Sequence, residues 1–127
     1  MSLTNAITQF GFGQDSVVIR HYVAGFKAGK VLDVKGYAEK YIKAGHVVIL
    51  DPVTETYKPM PVEGNEYAAL PAGHKYVGVV VSTVLTSEAQ VAIMHTGEVN
   101  DVASPYPIDS IKDELLAQVP TLVFNHD

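Results

Sequence analysis

The chain holds five histidines, at positions 21, 46, 74, 95 and 126. A metal centre needs three or four convergent donors. No two of these histidines have the spacing of a helical pair, and none lies in a short carboxylate-rich cluster. His46 and His74 share a setting, since each directly follows an Ala-Gly pair. That setting predicts turn histidines facing solvent or a partner, not metal ligands. Nucleophile motifs are missing as well. No Gly-x-Ser-x-Gly elbow occurs, and Ser82, Ser87 and Ser104 fall in or beside expected turns. Asp113-Glu114 reads as the solvated face of a helix, with Asp113 favourable near its N-terminus. Gly11-Phe12-Gly13 has no third glycine and no strand before it, so it is not a dinucleotide fingerprint. Cysteine is absent, which removes disulfides, thiolate ligands and thiol nucleophiles. The expectation is a protein without catalytic residues, metal or cofactor, and not an enzyme.

Seven tyrosines are the other chemistry-bearing residues. Tyrosine supplies a large contact area and a polar handle at interfaces. The same rings could stack on sugars, and two or three coplanar exposed rings in a groove would be the mark of that use. Base stacking is not expected, because no basic run is present and the net charge is −5.

A chain of 127 residues fits one domain with a real core. Only 18% of residues are charged, against about 25% in an average globular domain. A thinly charged small domain suits an oligomer. The longest dense apolar run, Tyr76–Val81, is far shorter than the roughly 20 residues of a membrane helix. No signal peptide is visible, so synthesis in the cytoplasm is expected and no membrane partner.

The elements that would carry these residues are mostly strands. Three turns, Lys27-Ala28-Gly29, Lys43-Ala44-Gly45 and Pro71-Ala72-Gly73, are each followed by a β-branched run. Strands are predicted over Lys30–Val34, His46–Asp51, Tyr57–Val62, Tyr76–Leu85, Ala89–Thr96 and Leu122–Phe124. Pro59 and Pro61 make the third an edge strand or strap. The fourth and fifth form a hairpin around Thr86-Ser87-Glu88. One helix follows Pro107, with Asp109 or Ser110 as N-cap, and ends before Pro120. Tyr37–Ile42 reads as a single helical turn. Glycines punctuate the first residues, so 1–27 is expected as a partly flexible arm and 28–127 as a β-rich domain. The fold class is mainly β, a compact barrel or sandwich-like domain with one short C-terminal helix. Within the arm, Val17, Val18 and Ile19 form an apolar cluster that could dock on a partner. His46 and His74 join them as candidate contacts, expected at one end of the sheet.

The ordered series of motifs resembles the head decoration and head-fibre proteins of tailed phages, lambda-type members included. Its carriers are Lys43-Ala44-Gly45-His46-Val47-Val48, the strap Tyr57-Lys58-Pro59-Met60-Pro61-Val62, and Pro71-Ala72-Gly73-His74 leading into Tyr76-Val77-Gly78-Val79-Val80. Met94-His95-Thr96-Gly97-Glu98-Val99-Asn100-Asp101 follows, then a helix and Leu122-Val123-Phe124. The resemblance implies a homotrimer on the outside of a virion capsid, bridging copies of the major capsid protein. A carbohydrate-binding β-module for surface adhesion is the alternative reading.

Overall fold

The computed structural model describes residues 15–126. Residues 1–14 of the expected arm lie outside the described residues. One short helical turn, α1 (Asp15–Val18), leads into a thirteen-residue strand, β1 (Ile19–Val31). The boundary expected between 27 and 28 therefore falls inside a strand. Residues 19–31 belong to the main sheet, because β9 (Gln90–Asn100) supplies a partner along almost their whole length, from Ile19 opposite Val99 to Val31 opposite Gln90. Sequence punctuation by Gly25 and Gly29 suggested a loose arm, but long-range pairing overrides it.

The sheet has six strands in the order β1-β9-β7-β3-β4, where β3 is Val47–Asp51, β4 Thr56–Pro59 and β7 Lys75–Val80. The pairs along this path are antiparallel, and β10 (Leu122–Asn125) adds to β9 in parallel. The fold is thus mainly β with a short C-terminal helix, α2 (Lys112–Gln118). The barrel alternative is not realised. The sheet ends approach at one isolated bridge, Leu32 with Tyr57, and not at a ladder. β4, carrying Pro59, is an edge of this path, where a missing donor is tolerated.

Both faces of the sheet are buried, giving two apolar clusters. One contains Val47, Ile49, Tyr76, Val79 and Met94, packed against Ile111, Leu115 and Val119 around α2. The other contains Val48, Val80, Val91 and Ile93 with Leu32, Ile42 and Ala89. The strict alternation of a strand is broken once in β7. Val48 faces Gly78 but Ile49 faces Tyr76, which leaves Val77 as an extra residue in the ladder. That bulge lets Tyr76 and Val79, three apart, share one face while Val77 and Val80 share the other.

Four local expectations are corrected. The segment Tyr37–Ile42 is not helical; it ends in a two-residue strand, β2 (Tyr41–Ile42), paired with β8 (Val84–Leu85). The tight hairpin is absent, although its strands do pair antiparallel, with Val79 opposite Met94. The chain leaves β7 at Val80, forms β8 and a 3-10 turn at Thr86–Glu88, and then enters β9. This detour is held by polar contacts to the 39–44 segment. Ala44 N–H donates to Thr83 Oγ1 at 3.0 Å, and Thr86 Oγ1–H to the Glu39 carbonyl at 2.6 Å. The strap Tyr57–Val62 splits into β4 and β5 (Val62–Glu63), and β5 turns back onto β6 (Glu66–Tyr67). Finally, the α2 N-cap is Ile111 without side-chain capping, because Ser110 directs its hydroxyl to the Tyr67 carbonyl instead.

Glycine is demanded by the sheet itself at Gly25, Gly78 and Gly97, the last with the His21 carbonyl oxygen 2.2 Å from where its Cβ would lie. A Cβ on Gly78 would lie 2.2 Å from the Met94 carbonyl oxygen, and one on Gly25 would lie 2.0 Å from the Ile93 carbonyl oxygen. Both neighbours of β9 thus close on the same backbone stretch from opposite sides. Gly78→Ala is expected to cost about 3 kcal/mol, the upper end for overpacking, since the obstacle is backbone and cannot rotate away. Urea unfolding of the variant checks this; a loss below about 1 kcal/mol would show that the strands separate easily.

Candidate functional site

His46 immediately precedes β3 and is fully buried. The turn that delivers it is closed by His46 N–H donating to the Lys43 carbonyl at 3.0 Å, with Gly45 at φ +89°. His46 Nε2 lies 3.0 Å from the Met60 carbonyl. A carbonyl only accepts, so Nε2 carries the proton and Nδ1 holds a lone pair. Nδ1 is buried and has no hydrogen-bond partner. Three tyrosine rings surround the imidazole nearly edge-on, with centroids at 5.4 Å for Tyr37, 5.3 Å for Tyr67 and 5.7 Å for Tyr106. Tyr67 belongs to the helix-side cluster and Tyr37 packs on the opposite one, so the imidazole sits where the two meet.

Burial disfavours charge throughout this nest. It pushes the His46 pKa down to about 4, against the Met60 carbonyl bond, which acts the other way. Burial also raises the Tyr67 phenol well above its ordinary range. Tyr37 is raised by burial first, then by the neighbouring Tyr106 and Glu39. Tyr67 uses its hydroxyl structurally, accepting Val47 N–H at 3.1 Å.

A cavity of about 220 Å³ opens beside the nest, lined by Tyr37, Glu39, Lys40, Lys43, His46 and Tyr106 among others. A second, of about 440 Å³, lies on the other side of Tyr37 and Glu39, which line both. Its walls include Asp33, Lys58, Pro61 and His74. His74 is set like His46. Its Nδ1 lies 3.0 Å from the Ala72 carbonyl and must donate, so the buried Nε2 is an acceptor without a partner.

No family model, curated protein or solved structure matches this chain.

The other expected contact residues divide. Val17 is exposed, whereas Val18 is buried in the helix-side cluster and Ile19 packs on it while opposing Val99 in β9. Val18 is thus a core residue, not a surface one. His46 and His74 do not meet at one end of the sheet. β3 runs from Val47 opposite Val79 to Leu50 opposite Lys75, which puts the two histidines at opposite ends of that ladder. Antiparallel pairing makes this unavoidable, because each histidine directly precedes its own strand. Among the described residues no group of three or more His, Asp or Glu is placed to hold a metal ion. The touching pair Tyr67 and Tyr106 is inclined at 61°, unlike a flat stacking platform. Sequence reasoning did not single out Tyr37 and Glu39 as the partition between two cavities. The only signal was that Tyr37 follows a glycine in an otherwise polar segment.

The buried imidazole couples stability to pH. The unfolded chain takes up a proton on His46 near pH 6.5, while the folded chain resists until about pH 4. The stability contribution is therefore complete above pH 6.5 and is lost as the pH falls through this window. Its size is on the order of 3 kcal/mol. In urea titrations from pH 7 to 4, His46→Phe is expected to show a flatter pH dependence than the natural chain. Parallel curves would show that His46 is not held neutral.

Proposed function

We propose that this chain is a non-catalytic structural protein that works as a homo-oligomer, a trimer, docked on the capsid exterior of a phage or prophage virion. The observation that carries this reading is the character of β1. It stands at one end of the strand order with β9 as its sheet neighbour. Val23 and Val31 on this strand are 55% and 71% exposed, and Val17 just before it is 46% exposed. No Asp or Glu occurs from 16 to 32, while Arg20, Lys27 and Lys30 do, on a chain whose net charge is −5.

An edge strand with exposed apolar side chains is a template for another protein surface. A cationic edge on an acidic body also fixes orientation, since only one side of the protein attracts an acidic partner. The major capsid protein is the proposed partner. Docking shifts from the Val17–Ile19 cluster to Val17 together with the exposed positions of β1, because Val18 is used internally. Several copies held by one trimer would turn weak edges into tight lattice binding through effective concentration. Preference for the assembled shell would stabilise it against its internal DNA pressure.

The test is co-sedimentation with expanded capsids, alongside light scattering for mass. Trimer mass and saturable capsid binding are expected. Val23→Glu should weaken capsid binding at least tenfold and leave the melting temperature within a few degrees. A strict monomer at micromolar concentration, or full binding by Val23→Glu, would overturn the reading.

A further inference from the structure

The walls around the buried His46 differ in strength, and one of them is a short loop. We propose that residues 34–38 form a flap closed by Tyr37 over the neutral imidazole, and that acid opens this flap while the sheet stays folded. The flap and β1 share no residue, so this device is independent of capsid docking.

A proton has nowhere to go while the nest is closed. Nε2–H is committed to the Met60 carbonyl, and Nδ1 is buried without a partner. Protonated Nδ1 would be a buried donor lacking an acceptor, on a ring that also carries the charge. The titratable groups around the ring do not supply that acceptor. Tyr37, Tyr67 and Tyr106 approach it from the flap, β6 and the 104–107 segment. Lys40, Tyr41 and Lys43 line the neighbouring cavity, and Glu39 is the one carboxylate among its lining residues. The Glu39 side chain is exposed, outside the closed nest. An imidazolium therefore requires an opening, and the cheapest local opening dominates.

Three of the walls are firmly tied. Tyr67 is buried, its hydroxyl accepts Val47 N–H, and its carbonyl accepts the Ser110 hydroxyl. The turn behind the imidazole is bonded to β7, with Gly45 N–H donating to the Val80 carbonyl at 2.8 Å and Val80 N–H to the His46 carbonyl at 2.9 Å. The segment leading to Tyr106 is held by the Asn100 side chain, which accepts from Val102 and Ala103 N–H, both at 3.0 Å. The flap instead hangs between two anchors. Asp33 N–H donates to the Tyr57 carbonyl at 2.8 Å on one side, and Thr86 binds the Glu39 and Lys40 carbonyls on the other. Between them Tyr37 N–H closes a single turn onto the Val34 carbonyl at 2.9 Å. Lys35, Gly36 and Ala38 are exposed, leaving Val34 and Tyr37 to pack inward. Tyr37 lines both cavities, so its departure joins them and brings water and Glu39 towards Nδ1.

The direction with pH follows from the two states of the imidazole. Held at about 4 when closed and returning to about 6.5 when open, it favours the closed flap fully above pH 6.5 and less as the pH falls towards 4. The open population should rise about thirtyfold between pH 7.5 and pH 5.

Native-state hydrogen exchange by NMR on the full chain at these two pH values tests this, read as protection factors. The Tyr37 amide is expected to be less protected than the β9 amides at both, and to lose at least tenfold of its protection at pH 5. In His46→Phe that loss should shrink below twofold. His46→Gln, which keeps a donor for the Met60 carbonyl and does not titrate, takes its place if His46→Phe melts far lower. Protection at Tyr37 that ignores pH, an equal loss in natural chain and variant, or protection matching that of β9 would overturn the proposal. So would a loss at Ala103 without one at Tyr37, which would put the opening at the Tyr106 wall.

Discussion

Strand β9 hydrogen-bonds three other strands, and two of them close on its Ile93–Met94 backbone. β1 and β7 approach it from opposite sides through Gly25 and Gly78, each with its missing Cβ against a carbonyl of that stretch. β9 also presents both faces to apolar clusters, with Ile93 on one and Met94 on the other. A strand buried on two faces and flanked on both edges cannot shift register without turning both clusters inside out. The bulge at Val77 fits β7 to β3, and beyond Val80 the chain turns away into β8 with Val81 N–H still donating to the Ala92 carbonyl at 3.1 Å.

The detour in turn braces the segment beside the candidate site. Thr83 and Thr86 reach across to Ala44 and Glu39. Those bonds hold the 39–44 segment over the sheet end, beside Tyr37 and in front of the buried His46. The imidazole then bridges the two apolar clusters through Tyr67 on one side and Tyr37 on the other. A neutral, fixed-tautomer histidine at that junction gives polar specificity to a place where hydrophobic packing alone would leave none.

Much of the architecture was legible in the sequence because β-branched runs after glycine turns are a local signal. Val47–Leu50, Val77–Val80 and the strand around Leu122 all read correctly as extended chain. What was not legible depends on partners far along the chain. Residues 19–27 look like a loose arm until β9 is available to pair with them. Ser110 looks like an N-cap until Tyr67 claims its hydroxyl. The alternation of β7 cannot be read through Val77, because the bulge is set by its fit to β3. The candidate site was legible only in part. Gly45-His46 and Gly73-His74 stood out as equivalent turns, yet only His46 is buried, and their opposite placement follows from strand direction, which residue types do not encode. Tyr37 and Glu39 carried no periodic signal at all.

Parallel pairing of β10 with β9 has a further consequence for how the chain is made. β10 lies beside Gly97–Asn100, in line with β7 on the same side of β9. During synthesis β1 must wait for β9 to emerge, and the flank of β9 beyond β7 must wait longer still, until residues 122–125 have left the ribosome. A stalled or shortened nascent chain would carry the whole central strand with that flank bare. Such a chain is prone to pair with its neighbours, so the dangerous interval runs from the emergence of β9 to that of β10.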